Sequence, residues 1–183
     1  LTLSHSAIDR SLFAKGADWI PTDSFMTRTS VSDLVFLVRS ARDANMNMFR
    51  VWGGGYYESD AFYDLCDRHG ILVWQDFGIA CMMYPLHRPD FLDNVRHEVQ
   101  DNVTRIRHHA SLALWCGNNE IELVTGFVRK HPELKEAGHH FFHETLPEWV
   151  SSLDPATPYW PGSPTSGIRK PGSMPEKANA LGK

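Results

Sequence analysis

The segment ILVWQD, residues 71–76, decides the fold. Its first four residues are apolar without alternation, which is typical of a strand covered on both faces, and its last two residues are polar. Residues 112–115, LALW, form a second run of this kind, and a polar group at 118–120 follows it closely. We therefore expect buried parallel strands that carry polar side chains where each strand ends.

Helical segments are expected to alternate with these strands. Ser30 and Asp33 form a capping-box pattern, and apolar residues recur with helical spacing over 32–44. Three more helices are expected: one between the cap Ser59 and the left-handed terminator Gly70, one from the cap Asp90 to His108, and one over 132–153 that Pro147 kinks or restarts. The strands are expected at 13–20, 46–52, 71–74, 112–115 and from Tyr159 onward.

Alternating strands and helices with buried strands imply right-handed crossovers and a parallel sheet, so the chain is predicted to be an α/β protein. A doubly wound sheet often carries a G-x-G-x-x-G turn, but the glycines at 53–55 are followed by Tyr56, Tyr57 and Glu58, which breaks that spacing. A (β/α)8 TIM barrel fits better. Because a full barrel takes about 250 residues, this chain is expected to hold a partial barrel, roughly its first four to five βα units.

The composition excludes several functional classes. With 183 residues, of which 42% are hydrophobic, the chain can bury one substantial core. A net charge of −4 without a basic cluster argues against nucleic acid as a partner. No apolar run approaches the roughly 20 residues that span a bilayer and no export signal is visible, so no membrane partner is expected. Cys66, Cys81 and Cys116 lack metal-ligand spacing and are interpreted as buried thiols.

Polar and aromatic side chains are expected to gather at the carboxyl ends of successive strands, where ligands of parallel α/β proteins bind. In strand order they are Asp18 and Trp19, Arg50 and Trp52, Gln75 and Asp76, and Asn119 and Glu120. Aromatic rings offer flat faces to a sugar, while carboxylates, amides and a guanidinium bond to its hydroxyls, so a carbohydrate ligand suits these residues. Core packing of the tryptophans and loop capping by the polar residues are competing explanations.

Five segments resemble the catalytic barrel of β-mannosidases in glycoside hydrolase family 2. They are KGADWIP (15–21), NMNMFRVWGGG (45–55), YESDAFYD (57–64), WQDF (74–77) and WCGNNE (115–120). The resemblance runs from about residue 13 to residue 167. It implies a retaining glycosidase that releases terminal β-linked mannose from the non-reducing end of a β-mannoside oligosaccharide or glycoconjugate, using two glutamates and no cofactor.

The resemblance implies roles for three strand-end residues. Glu120 would be the general acid/base, which protonates the departing glycosidic oxygen and later deprotonates the attacking water. Asn119 would bond to the 2-hydroxyl of the sugar. Arg50 would hold the nucleophile carboxylate ionised, a task that suits its rigid fork of donors.

Four further residues are candidates for substrate binding. Trp52 would form a wall of the sugar subsite. Asp18, Trp19 and Asp76 would line the pocket, although each could equally cap a loop or support the rim.

The resemblance places the nucleophilic glutamate on a seventh strand, and no residue of this chain fills that position. Residues 168–183 are rich in proline and glycine without apolar periodicity, and residues 1–12 do not match the usual entry into the first strand. We therefore expect an atypical lead-in at 1–12, a partial TIM-barrel glycosidase domain at 13–167 and a disordered tail at 168–183. A truncated chain of this kind is expected to be inactive alone and prone to aggregate.

Two other functions stay open at this point. The chain could be a non-catalytic carbohydrate-binding fragment, or another retaining β-glycosidase of the β-galactosidase or β-glucuronidase type, although those relatives lack the WGGG and WQDF combination. His139, His140 and His143 could present a metal at helical spacing, but no H-E-x-x-H pattern accompanies them. A solvated helix face is expected there, and no metal is predicted.

Overall fold

A computed structural model describes residues 2–5, 8–123 and 132–164 of the chain. Its strands are β1 (Thr2–His5), β2 (Ile8–Phe13), β3 (Gly16–Trp19), β4 (Met48–Val51), β5 (Leu72–Asp76), β6 (Leu112–Cys116) and β7 (Tyr159–Trp160). Its helices are α1 (Val31–Asp43), α2 (Asp60–His69), α3 (Pro89–Ile106), α4 (Pro132–His140) and α5 (Leu146–Leu153). The tail predicted at 168–183 lies outside the described residues, and the predicted lead-in at 1–12 contains β1 and most of β2.

Five strands form one parallel sheet in the order β3-β4-β5-β6-β7, and β1 and β2 form a separate antiparallel pair. Parallel neighbours need a long crossover, and helices supply it: α1, α2 and α3 each fill one connection, and α4 and α5 fill the last. This arrangement confirms the predicted α/β class and the predicted parallel sheet. The first strand is shorter than the expected 13–20 because Phe13 ends β2.

Two predicted helix boundaries are confirmed. Ser30 and Asp33 form the reciprocal capping box at the start of α1, with the Ser30 N–H 2.9 Å from Asp33 Oδ2. Gly70 ends α2 with φ +66°, the left-handed conformation that glycine adopts without steric cost.

The predicted boundaries of α3 are wrong. The helix begins at Pro89 with Arg88 as its cap, because proline is favoured at the first helical position, where its missing N–H costs nothing. Asp90 is therefore inside the helix, and its carboxylate pairs with Arg88 at 2.6 Å. The helix ends at Ile106, before the predicted His108.

The last helical region is interrupted, as we predicted from Pro147. A five-residue π-helical turn, Phe141–Thr145, separates α4 from α5, and Pro147 lies in the first turn of α5. Phe141, Phe142 and Leu146 are buried there, so the interruption faces the core.

The core lies between the sheet and the helices. Trp115 of β6 is fully buried, its ring stacks on Phe77 at 5.3 Å, and its Nε1–H donates to Asp154 Oδ2 over 2.9 Å. Val38, Phe62 and Val103 from α1, α2 and α3 pack in the same core; their exposed fraction is zero. In the described part of the chain, no helix combines the length and the apolar character that crossing a membrane requires.

Candidate active site

The register of the sheet brings side chains from three strands to one level. Asp18 of β3 lies opposite Arg50 of β4, and Arg50 lies opposite Trp74 of β5. Because successive side chains of a strand point to opposite faces, these three share one face of the sheet. Asp76, two residues beyond Trp74, shares it too.

Arg50 holds the centre of a polar cluster on that face. Its Nε and Nη2 donate to the two carboxylate oxygens of Asp76 at 3.3 and 2.8 Å, and Nη2 also donates to Asn119 Oδ1 at 2.8 Å. Its Nη1 lies 3.5 Å from Asp18 Oδ1, and its Cζ lies 5.2 Å from the centroid of the Trp74 ring. The structure thus brings together four of the predicted site residues, Asp18, Arg50, Asp76 and Asn119.

Asp76 is the buried anion of the cluster. Besides Arg50, its carboxylate accepts from the Gly53 N–H at 3.1 Å and from Trp74 Nε1–H at 2.9 Å. Burial raises the pKa of Asp76, although the charge and hydrogen bonds of Arg50 and the Gly53 N–H act in the opposite direction. Burial also opposes the charge on Arg50, but the adjacent Asp76 carboxylate outweighs it and the pKa of Arg50 is raised. Arg50 is therefore a fixed cation.

Gly53 allows this close arrangement. A Cβ at this position would lie 2.4 Å from the Phe77 carbonyl oxygen and 3.1 Å from the Asp76 Cβ. Only a residue without a side chain lets the backbone after β4 come near enough for its N–H to reach the carboxylate of Asp76.

Asn119 and Asn118 have different tasks in spite of their adjacency. Asn119 is 5% exposed; its Oδ1 faces Arg50 and its Nδ2 donates to Cys81 Sγ at 3.2 Å. Asn118 Nδ2 donates to the Pro161 carbonyl at 2.8 Å, and its Oδ1 accepts from the Ile121 N–H at 3.1 Å. Asn118 therefore ties two loops together, while Asn119 belongs to the cluster.

Glu120 lies beside the cluster and is exposed. Its backbone N–H donates to the Ser163 carbonyl at 2.7 Å, and its φ is +63°, a left-handed value that is uncommon for a residue with a side chain. Its Oε2 accepts from Cys81 Sγ at 3.6 Å. Glu120 is thus joined to Arg50 through Cys81 and Asn119, not by a direct bond.

Trp52 lines a cavity of about 310 Å³ between the end of β4, the end of β5 and α3. Asp76, Tyr57 and Glu98 line the same cavity, whereas Glu120 and Arg50 do not. The structure therefore brings Trp52 and Asp76 together in this cavity.

Trp19 belongs to the core, which corrects its prediction as a pocket residue. Its ring packs 5.0 Å from Phe49 and 4.6 Å from Phe62, and its Nε1–H donates to Glu58 Oε1 at 2.9 Å. The physical reason is the alternation of the strand: Asp18 points to the cluster, so the next residue points to the helices.

Two residues of the cluster were missed by the sequence analysis. Trp74 could have been found, because it precedes Asp76 by two residues and must share its face of the sheet. Cys81 comes from the irregular connection between β5 and α3, where no periodicity predicts the direction of a side chain. Cys81 is also exposed, so its interpretation as a buried thiol is wrong, while Cys66 and Cys116 are buried as predicted.

The histidines near the π-helical turn depart from the predicted solvated face. Nε2 of His143 lies 2.9 Å from Oε1 of Glu122, and the rings of His139 and His143 are 4.3 Å apart. The donor atoms of these three residues all lie within 4.8 Å of one another, close enough to share a divalent ion. The carboxylate of this group, Glu122, comes from the loop after β6, and the direct His143–Glu122 contact accounts for the arrangement without an ion. His140 is exposed and pairs with Glu144 at 3.1 Å.

Comparison with known proteins identifies relatives of this chain. It is 43% identical over 164 residues to the β-mannosidase of Rattus norvegicus, a match that covers 86% of this chain and 18% of that protein. The crystal structure of β-D-mannosidase from Dictyoglomus thermophilum is similar with a TM-score of 0.80 at 42% identity, over 92% of this chain and 21% of that one. β-Glucuronidase 3 of Bacteroides uniformis, at 19% identity and a TM-score of 0.67 over 82% of this chain and 18% of that one, shares the fold alone. No family model matches the sequence.

The parallel α/β fold and these similarities together define a glycoside hydrolase type of protein. Within that class, the chain is similar to part of the β-mannosidases, at about 40% identity over most of its own length. The family predicted from the five sequence segments is thereby confirmed. The chain spans about a fifth of the length of the curated relatives it matches.

Proposed function

We propose that this chain contributes the acid/base side of the active site of a retaining β-mannosidase. The observation that carries the proposal is the bonded series from Asp76 through Arg50 and Asn119 to Cys81 and Glu120, at the carboxyl ends of β4, β5 and β6. Strand ends of this kind are where catalytic groups of parallel α/β enzymes gather.

Glu120 is proposed as the general acid/base. Its exposed carboxyl group can reach a glycosidic oxygen, donate a proton to it, and later take a proton from the water that releases the sugar. The left-handed backbone at Glu120 supports this role, because strained conformations of this kind cluster at functional sites.

Asn119 and Arg50 are proposed as a pre-oriented pair. The Arg50 donor fixes the amide plane of Asn119, so the amide would meet the 2-hydroxyl of mannose without first having to reorient. Arg50 is 17% exposed and cationic, so it can also attract a second carboxylate that approaches from the open side. Asp18, on the solvent side of Arg50, is proposed to bond to sugar hydroxyls, and Asp76 to support Arg50.

We also propose that the five-stranded sheet is part of a (β/α)8 barrel and supplies its first four to five units. On this proposal residues 13–167 are the barrel part, 1–12 a lead-in and 168–183 a tail. The nucleophile would be a second carboxylate. The five segments on which the family resemblance rests do not contain it. Turnover of a terminal β-mannoside would then need that group as well as Glu120.

A chimeric enzyme tests the proposal. Residues 13–164 would replace the matching segment of the Dictyoglomus thermophilum β-mannosidase. The two proteins are 42% identical over their matched parts. We expect the chimera to hydrolyse p-nitrophenyl β-D-mannoside, and Glu120→Gln to lower kcat by about 10²- to 10⁴-fold. Glu144→Gln is the matched control, since Glu144 is exposed and pairs with His140.

Three results would count against the proposal. They are a folded chimera without turnover, an E120Q chimera as active as its parent, and robust hydrolysis by the 183-residue chain itself. Calorimetric titration of that chain with mannose addresses the carbohydrate-binding alternative, which requires binding without hydrolysis.

A further inference from the structure

The thiol of Cys81 lies between the two residues to which the proposed chemistry is assigned. Asn119 Nδ2 lies 3.2 Å from Cys81 Sγ, and Cys81 Sγ lies 3.6 Å from Glu120 Oε2, both within hydrogen-bond range for sulfur. Cys81 comes from the connection after β5, whereas Asn119 and Glu120 come from the connection after β6. The Cys81 thiol therefore connects these two loops at the site through hydrogen bonds.

The direction of each bond in this series is determined by Arg50. A guanidinium has only donors, so the atom of Asn119 that faces it must be the oxygen, and the amide NH2 must face Cys81. The sulfur then accepts from Asn119, and its own S–H is left to donate to the carboxylate of Glu120. The charge of Arg50 thus fixes the orientation of the thiol two bonds away.

The backbone holds the thiol in place. The Cys81 N–H donates to the Asn119 carbonyl at 2.9 Å, and the Asn119 N–H donates to the Ile79 carbonyl at 3.0 Å, so the two loops continue the parallel pairing of β5 and β6. Cys81 and Glu120 both have left-handed φ values, +54° and +63°. Such conformations are strained, and two of them in facing residues persist only where the surroundings fix them.

We propose that Cys81 is a positioning residue for Glu120. Its S–H donates to Oε2 of the carboxyl group. Oε1 is then the oxygen that gives the proton to the glycosidic oxygen and later takes one from water. The S–H can donate to Oε2 whether Glu120 is ionised or carries its proton on Oε1, so one contact serves both halves of the reaction. This inference rests on the proposed function, because it presumes that Glu120 is the acid/base.

The contact is tested first on the 183-residue chain, without turnover. The rate of alkylation of Cys81 by iodoacetamide is measured from pH 6 to 10, with peptide mapping to assign the label. We expect Glu120→Gln to raise the rate near pH 7 by about fivefold, because it removes a negative charge next to the reacting thiol. Glu144→Gln should leave the rate unchanged. Cys66 and Cys116 should stay unlabelled in each variant, which confirms that it is folded; Glu120→Ala, with the same expected effect, replaces E120Q if that variant unfolds.

The positioning role is tested by turnover in the chimera. Cys81→Ser keeps both a donor and an acceptor and should retain most of the activity, whereas Cys81→Ala should lower kcat about tenfold with KM unchanged and shift the limb of the pH profile that belongs to Glu120.

The inference is overturned if E120Q and E120A leave the alkylation rate at the wild-type value, or if C81A keeps the wild-type kcat and pH profile. A chimera without any turnover counts against the proposed function, while the alkylation rates still decide whether Cys81 binds Glu120.

Discussion

Arg50 and Asp76 form an ion pair in which the carboxylate is completely buried and the guanidinium is 17% exposed, with Nη2 and Oδ2 2.8 Å apart. The pair connects β4 to β5 on the face that carries the cluster. Arg50 also orients Asn119, so the pair serves both the cohesion of the sheet and the geometry of the candidate site.

Loss of this pair should cost much stability. Asp76→Asn removes the buried negative partner of Arg50, and breaking a buried pair typically costs about 3–5 kcal/mol. Asp90→Asn is the control, because the side chains of the Arg88–Asp90 pair are 60% and 66% exposed and a surface pair of this kind contributes little to stability. Urea denaturation followed by circular dichroism measures both. Equal losses in the two variants would show that burial does not set the strength of the Arg50–Asp76 pair.

The three thiols should differ in reactivity. Burial raises the pKa of the Cys66 and Cys116 thiols, so neither supplies thiolate at neutral pH, whereas Cys81 is exposed. Ellman's reagent should therefore react with one thiol per native chain and with three in urea. Fast reaction of Cys66 or Cys116 in the native protein would contradict the structure.

Stability should fall with acid partly through Asp67. Burial opposes ionisation of Asp67, but the Ser111 N–H at 2.7 Å and His109 at 2.8 Å outweigh it, so the pKa of Asp67 is lowered. Because the folded-state pKa lies below the unfolded value of about 4, the stabilisation is complete above that pH and is lost as the pH falls through the folded-state pKa.

Asp67→Asn should accordingly lower the free energy of unfolding by about 2 kcal/mol at pH 7, and the difference from wild type should shrink below about pH 4. Thermal unfolding at a series of pH values measures it. Asp101→Asn, at an exposed position of α3, should show no such pH dependence. If the difference in stability between Asp67→Asn and wild type stayed constant down to pH 2, the charge of Asp67 would not be the cause of its stabilising effect.

Two glycines should respond to alanine with opposite signs. Gly70→Ala forces a side chain into a left-handed conformation, with φ +66°, and should cost about 1 kcal/mol even though the space around it is open. Gly138 lies within α4, and a Cβ there would meet Phe142 at 4.0 Å, an ordinary contact. Gly138→Ala should therefore stabilise the protein by about 0.4–1 kcal/mol. Melting temperatures of both variants give the answer, and a loss at Gly138 as large as that at Gly70 would refute it.

The fold could be predicted from sequence where the local sequence pattern and the packing of the whole sheet favour the same structure. Unbroken apolar runs identified the buried strands, and the capping box at Ser30 marked the start of α1, because both signals act over a few residues. The start of α3 was not predicted correctly. Asp90 and Pro89 are competing signals for the same boundary, and the proline prevailed.

The candidate site was most predictable where strand geometry controls the direction of a side chain. Asp18, Arg50 and Asp76 follow from the parallel register and the two-residue period, and that same period turns Trp19 into the core. Cys81 could not be predicted, since its place beside Glu120 depends on the pairing of two loops that are about 40 residues apart in sequence.

The alternation along β4 also limits how this protein can change in length. Phe49 and Val51 face the helices while Arg50, between them, faces the cluster. Extra residues in the turn before β4 leave these directions intact, but one inserted residue within the strand would rotate the guanidinium toward aromatic rings and put a hydrocarbon in its place. Over evolutionary time the turn before β4 can therefore lengthen freely, whereas β4 itself can change in length only in ways that keep Arg50 on the face of the cluster.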